Sequence, residues 1–342
     1  STEIIQAYTR VKGVVKKTPL QFSQRLSDKY QAKVYLKRED LQTVRSYKIR
    51  GAYNLMSQLT DEQTKNGIVC ASAGNHAQGV ALSCKLLKIK GTIFMPTTTP
   101  NQKISKVKNF GDEYIDIEMV GNTFDEASTA ATEFCQLNNA TYVHPFNDER
   151  IISGQGTIAK EILDELDKLD YFVCAIGGGG VSSGCSTYFK EISPDTKVIG
   201  VEPSGAPSAF ESLKTGKPVK LEKIDTFVDG AAVAQIGDIT FNIIKENLEK
   251  IELVDEGQDC ITMIELYQED GIVAEPAGAL SISALENIKD EIIGKTIVCL
   301  VSGGNNDLLR YPEILERSLV YRGLKHYFIV SFKQKPGQLK SL

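Results

Sequence analysis

Lys48 stands in the stretch Ser46-Tyr47-Lys48-Ile49-Arg50-Gly51-Ala52, with an aromatic residue before it, a β-branched residue after it and small residues close behind. A lysine that serves solubility usually has polar neighbours. One held in apolar, close-packed company loses hydration, which disfavours the ammonium form and lowers the pKa until the amine can work as a nucleophile or base near neutral pH. Gly177, Gly178, Gly179 and Gly180, followed by Val181 and a helical pattern, form a second such stretch. Glycine gives up more backbone entropy on folding than any other residue, so four in a row imply a need for bare backbone. At the start of a helix they present N–H groups with no side chains in the way, which suits a phosphate dianion. A flexible or close-packed turn is the alternative. Ser72-Ala73-Gly74-Asn75-His76 brings hydroxyl, amide and imidazole groups to another strand end, and Ser302 opens a similar one. Asn75 also suits an N-cap, His76 suits packing at a helix start, and Ser302 suits capping of its own turn.

The elements that must hold these residues follow from the pattern. From about residue 65 onward, short β-branched runs alternate with helical periods: Ile68–Ala71 precedes 75–88, Gly91–Met95 precedes 101–110, and 113–117 precedes 124–137. A second series runs through 171–176, 197–202, 250–254 and 295–301. Continuous apolar strands alternating with helices predict an α/β fold of two doubly wound lobes with mostly parallel sheets, where ligands sit beyond the carboxyl ends of strands. The three glycine-rich stretches fall at such ends. The break near 142–150 reads as the passage between lobes, giving residues 1–45 with 146–320 as the larger lobe and 46–145 as the smaller; one continuous large sheet is the alternative. Residues 326–342 read as a strand, a Pro-Gly turn and a helix start.

Composition narrows the function. The 342 residues are 42% hydrophobic and 24% charged, an ordinary globular balance, and the net charge of −5 gives no positive field to gather phosphate backbones, so nucleic acid is not an expected partner. No apolar run reaches a membrane span, and no signal-peptide pattern opens the chain. Seven cysteines without a C-x-x-C pair read as thiols of a reducing cytosol, and three scattered histidines give no zinc spacing. Neither nucleotide loop fits. Counting G-x-G-x-x-G from Gly177 or Gly178 puts Ser182 or Ser183 at the last glycine, and Lys289 replaces the first glycine of a P-loop ending at 294–296.

A phosphate site, an apolar-set lysine and an amide-bearing loop together suggest pyridoxal phosphate (PLP). The succession SYKIRGAYN, SAGNHAQGVA, GGGGV, DGAAV, EPAGA and SGGN resembles the fold-type II PLP enzymes, and among them the biosynthetic threonine dehydratases (threonine deaminases), over about residues 3–320. The resemblance implies PLP in the cleft between the lobes, carried by Lys48, with Tyr47 along the ring face and Asn75 on the ring hydroxyl. It implies Gly177–Gly180 and Val181 on the phosphate, Ser302 facing the pyridine nitrogen, and Ser72, Ala73, Gly74 and His76 around the carboxylate of an amino-acid substrate. The activity implied is deamination of L-threonine to 2-oxobutanoate and ammonia toward isoleucine, slower on L-serine, by a cytoplasmic homo-oligomer, a tetramer in the family. Serine dehydratase or serine racemase is the alternative within the fold, and a PLP-free scaffold is the alternative outside it. Ala73 stands where racemising relatives carry a second serine, and Ser208 stands where relatives have an acidic metal ligand to accompany Glu202, so no metal is expected. Residues 321–342 resemble the start of a regulatory (ACT-like) domain.

Overall fold

The structure, a computed structural model, describes residues 1–331. Ten strands form two sheets. β1 (Leu20–Phe22), β2 (Lys33–Arg38), β7 (Tyr171–Ala175), β8 (Lys197–Pro203), β9 (Lys250–Val254) and β10 (Thr296–Val301) make one, in the order β1-β2-β10-β7-β8-β9. β3 (Ile68–Ala71), β4 (Gly91–Met95), β5 (Ile115–Met119) and β6 (Thr141–Tyr142) make the other, in the order β5-β4-β3-β6. Every pairing is parallel except β1 with β2.

Period-two alternation explains why both faces of the large sheet are covered. Phe172, Cys174, Val298 and Leu300 enter one core with Ile158 and Phe189, whereas Val173, Ala175, Cys299 and Val301 enter another with Leu280 and Leu285. The small sheet divides likewise, with Ile68 and Cys70 on one side and Val69 and Ala71 on the other. Burying each large side chain contributes about 1.5–3 kcal/mol, so these strands tolerate no polar substitution. All seven cysteines are unpaired thiols, and no helix of the described residues is long and apolar enough to cross a membrane.

The parallel register sends β3, β7 and β10 to their ends at Ala71, Ala175 and Val301, where the three glycine-rich stretches begin. The chain entering the helix Lys48–Met56 joins this rim: Ser46 bridges Gly303, and the Tyr47 N–H donates to the Ser302 carbonyl at 3.2 Å. Beyond the helix Tyr311–Tyr321, residues 325–331 form neither helix nor strand, so the expected strand does not begin there. A lone strand with no sheet edge beside it has no partner for its backbone groups. The rest of that expected segment, 332–342, lies outside the described residues.

Candidate active site

Three helices fix Lys48, and glycines let them touch. A Cβ on Gly79, in the helix Asn75–Leu87, would lie 3.2 Å from the Lys48 carbonyl, so that helix packs directly on the backbone of Lys48. A Cβ on Gly154, in the helix Glu149–Leu163, would come within 2.7 Å of the Gly51 Cα, and the Gly51 N–H donates to Gln155 Oε1 at 3.2 Å. Arg50 anchors the same turn. Fully buried, it donates to both carboxylate oxygens of Glu39 and both of Glu161, each at 2.8 Å, and to Thr157 Oγ1 at 3.1 Å. Lys37 Nζ completes the cluster at 2.6 Å from Glu161. Such a buried network is rigid because removing one member strands the charge of another.

The partly buried Lys48 amine donates to the Pro145 carbonyl at 3.1 Å, and the Tyr47 ring centre lies 5.4 Å from it. Burial lowers its pKa from 10.5 to about 8, against the pull of Glu275 in the other direction. Burial and the nearby Lys48 charge push His76 down to about 3 and His144 to about 4, so both imidazoles are neutral at pH 7.

Pro145 leads into Phe146, whose ring occupies the space a side chain on Gly178 would need. The His144 Nδ1 accepts the N–H groups of Phe146 (3.2 Å) and Asn147 (2.8 Å), which shapes this turn. On its other sides the glycine run meets Ala231, 3.2 Å from a Cβ on Gly177, and Thr240, 2.8 Å from one on Gly179. Thr240 Oγ1 donates to the Gly178 carbonyl at 2.6 Å, and Gly179 has the left-handed φ of 88° that opens the helix Gly180–Ile192. Among the described residues, the N–H groups of Gly177 through Ser182 have no protein acceptor. Val181, the second residue of that helix, is buried.

Within the Asn75 loop some N–H groups are engaged and others are free. Ser72 N–H is taken by the Phe94 carbonyl at 3.1 Å, and Gly74 N–H by the Ser72 hydroxyl at 3.1 Å. Those of Ala73, Asn75, His76 and Ala77 have no protein acceptor among the described residues. The His76 ring is committed to the Val143 carbonyl at 2.9 Å. Ser302, buried at the end of β10, donates to the Ala277 carbonyl at 3.1 Å.

Glu275, at the start of the helix Pro276–Ser283, is buried and accepts from Asn75 Nδ2 at 2.6 Å and from the Asn305 N–H at 3.2 Å. Burial raises its pKa to about 7. The sequence showed Glu275 only as part of the EPAGA motif, with no role, and Asn305, Phe146 and Thr240 were passed over. EPAGA, SGGNN and HPFND were visible, but the contacts that link them are not local. Glu202 accepts the Ala209 and Phe210 N–H groups at 2.8 Å each, and no group of three metal-ligating side chains is present among the described residues.

Residues 11–303 match the family of pyridoxal-phosphate dependent enzymes. The chain is 56% identical to the biosynthetic L-threonine dehydratase of Halalkalibacterium halodurans over 339 residues, 99% of this chain and 82% of that one. Among solved structures it is similar to the processed form of threonine deaminase isoform 2 from Solanum lycopersicum, with TM-score 0.87, 40% identity and coverage of 93% and 94%. Maize serine racemase gives TM-score 0.86 and 30% identity, with coverage of 94% and 98%. By a family match spanning most of its length and by its identity to these relatives, the chain belongs to the pyridoxal-phosphate dependent enzymes, in the company of the biosynthetic L-threonine dehydratases.

Proposed function

We propose that this chain is a PLP-dependent threonine dehydratase that converts L-threonine to 2-oxobutanoate and ammonia. The observation that carries the reading is the Lys48 amine, depressed in pKa, beside a helix start whose N–H groups have no protein acceptor. The residues fit PLP on these grounds: the free N–H groups of Gly177–Ser182 suit its phosphate, Lys48 its carbonyl carbon, and Asn75 its ring oxygen. Tyr47 would lie along the ring, and Ser302 would face the pyridine nitrogen, its oxygen free to accept once its hydrogen goes to the Ala277 carbonyl. When bound, PLP supplies a sink for the electron pair left when the substrate Cα loses its proton.

The protein's own groups do the remaining work. The free N–H groups of Ala73, Asn75, His76 and Ala77, at the positive end of a helix, hold the substrate carboxylate. With a pKa of about 8, Lys48 Nζ is neutral in a useful fraction near neutral pH and accepts the Cα proton. His76 is held neutral and occupied by the Val143 carbonyl, so its side chain positions the loop rather than exchanging protons. Loss of the β-hydroxyl as water and hydrolysis of the released enamine give the keto acid and ammonia. Ala73 offers no side-chain acid on the face where racemisation needs a proton donor, which favours elimination.

The lobes divide as 1–45 with 146–320, the larger, which supplies the phosphate site, and as 46–145, with the cofactor in the cleft between them. The enzyme works in the cytoplasm as a homo-oligomer, a tetramer, which light scattering tests. The experiment for the activity is a keto-acid assay on L-threonine, L-serine and D-serine with wild type and Lys48→Ala. Keto acid from L-threonine that the variant fails to make supports the reading. A protein that binds no PLP, or that mainly interconverts the serine enantiomers, overturns it.

A further inference from the structure

The side chain of Asn75 has two hydrogens on Nδ2 and an acceptor oxygen, Oδ1. Oδ1 accepts from Asn305 Nδ2 at 2.8 Å, and one Nδ2 hydrogen goes to Glu275 Oε1 at 2.6 Å. Asn305 cannot yield, because its Nδ2 also donates to the Val44 carbonyl at 2.8 Å and its backbone N–H to Glu275 Oε2 at 3.2 Å. With Glu275 ionised, turning the Asn75 amide over would set Oδ1 against its carboxylate and Nδ2 against another amide nitrogen. Two hydrogen bonds would become two repulsions. The glycine at 303 keeps this arrangement possible, since a Cβ there would overlap Glu275 Oε1. Asn75 is therefore left with one uncommitted hydrogen and acts as a donor toward any further partner.

We infer that Glu275 is a positioning residue, which with Asn305 locks the Asn75 amide as a hydrogen-bond donor to the ring oxygen of PLP and so favours the deprotonated form of that oxygen. This rests on the reading of Asn75 as a PLP-binding residue. The carboxylate belongs to the segment that follows the large-sheet helices, and Asn75 to a helix of the small sheet. Glu275 thereby ties the cofactor's ring to the relative placement of the two sheets, a role no local motif announces.

The test uses Glu275→Gln, which keeps the size but puts an amide where two donors now meet a carboxylate, with Glu275→Asp as the variant that restores the charge. PLP affinity of the cofactor-free protein is read by fluorescence titration and the absorbance of the loaded protein is recorded, both on the alkaline side of pH 7 where Glu275 is ionised, and melting of the cofactor-free protein checks the fold. For Glu275→Gln the affinity is expected to fall roughly tenfold or more, as for loss of a charge-assisted hydrogen bond. Its absorbance should move toward the shorter-wavelength band of the protonated ring oxygen, and Glu275→Asp should recover part of the long-wavelength band. If Glu275→Gln does not fold, Asn305→Ser probes the same lock from its other side and should show the same spectral move. Wild-type affinity and spectrum in the folded variant overturn the inference. A wild-type protein that binds no PLP overturns the underlying reading instead.

Discussion

Replacing Lys48 with methionine is expected to abolish activity and yet make the cofactor-free protein more stable. The unfolded lysine titrates at 10.5 and the folded one at about 8, mainly because burial disfavours its charge. Between these values the unfolded chain binds more protons than the folded one, so stability rises with pH through that window and the penalty is fully present below about pH 8. A displacement of this size corresponds to about 3 kcal/mol, and screening of a partly open side chain reduces it to roughly half. Loss of the hydrogen bond to the Pro145 carbonyl takes back up to about 1 kcal/mol. The net gain is then roughly 1 kcal/mol at pH 7, a rise of a few °C at most in Tm for a chain of this size. Thermal or urea melts of the cofactor-free wild type and Lys48→Met at neutral and at strongly alkaline pH measure it. The variant should lead at neutral pH and lose its lead above pH 10.5. A variant less stable at neutral pH, or one whose lead does not change with pH, would refute the argument that the amine is held at an electrostatic cost.

Three further outcomes follow from other contacts. Gly178→Ala forces a methyl into the Phe146 ring and should cost about 1–3 kcal/mol of stability and weaken PLP binding; adding Phe146→Ala should cost less than the sum of the two single changes, and strict additivity in denaturant melts would refute the contact. Arg50→Ala strands Glu39 and Glu161 and should cost about 3–5 kcal/mol. Burial pushes the Glu39 carboxyl up but Arg50 outweighs it and holds the pKa below 4.5, so this contribution is present above that pH and lost as pH falls further; a variant with the wild-type acid-unfolding profile would refute the pairing. L-serine, one methyl smaller than L-threonine, should show kcat/KM lower by roughly tenfold or more, and equal values would remove the methyl from the account of specificity.

Lys48, the glycine run and the Asn75 loop were legible because each departs from what a solvent-facing or purely structural segment needs. An amine among apolar neighbours, four glycines of high entropic cost and polar groups at strand ends are local signals, and their succession in one chain pointed to a single cofactor. The alternation of apolar runs and helical periods likewise carried the two parallel sheets, since burial on both faces writes itself as continuous hydrophobicity. The antiparallel start, β1 on β2, left no such mark: three residues are too few to show a period, and pairing direction is decided by where the chain returns.

What the sequence determined by itself, then, is chemistry that resides in one residue or one turn. The tertiary structure decided what depends on groups far apart in the chain meeting within hydrogen-bonding distance. Asn75 is oriented by Glu275 and Asn305, Gly178 is required by Phe146, and Arg50 sits between Glu39 and Glu161. It also decided which N–H groups of the Asn75 loop are free, because the Phe94 carbonyl and the Ser72 hydroxyl claim two of them first. Hydrogen bonds act only over about 3 Å, so no pattern along a chain can show which partner a polar group will find.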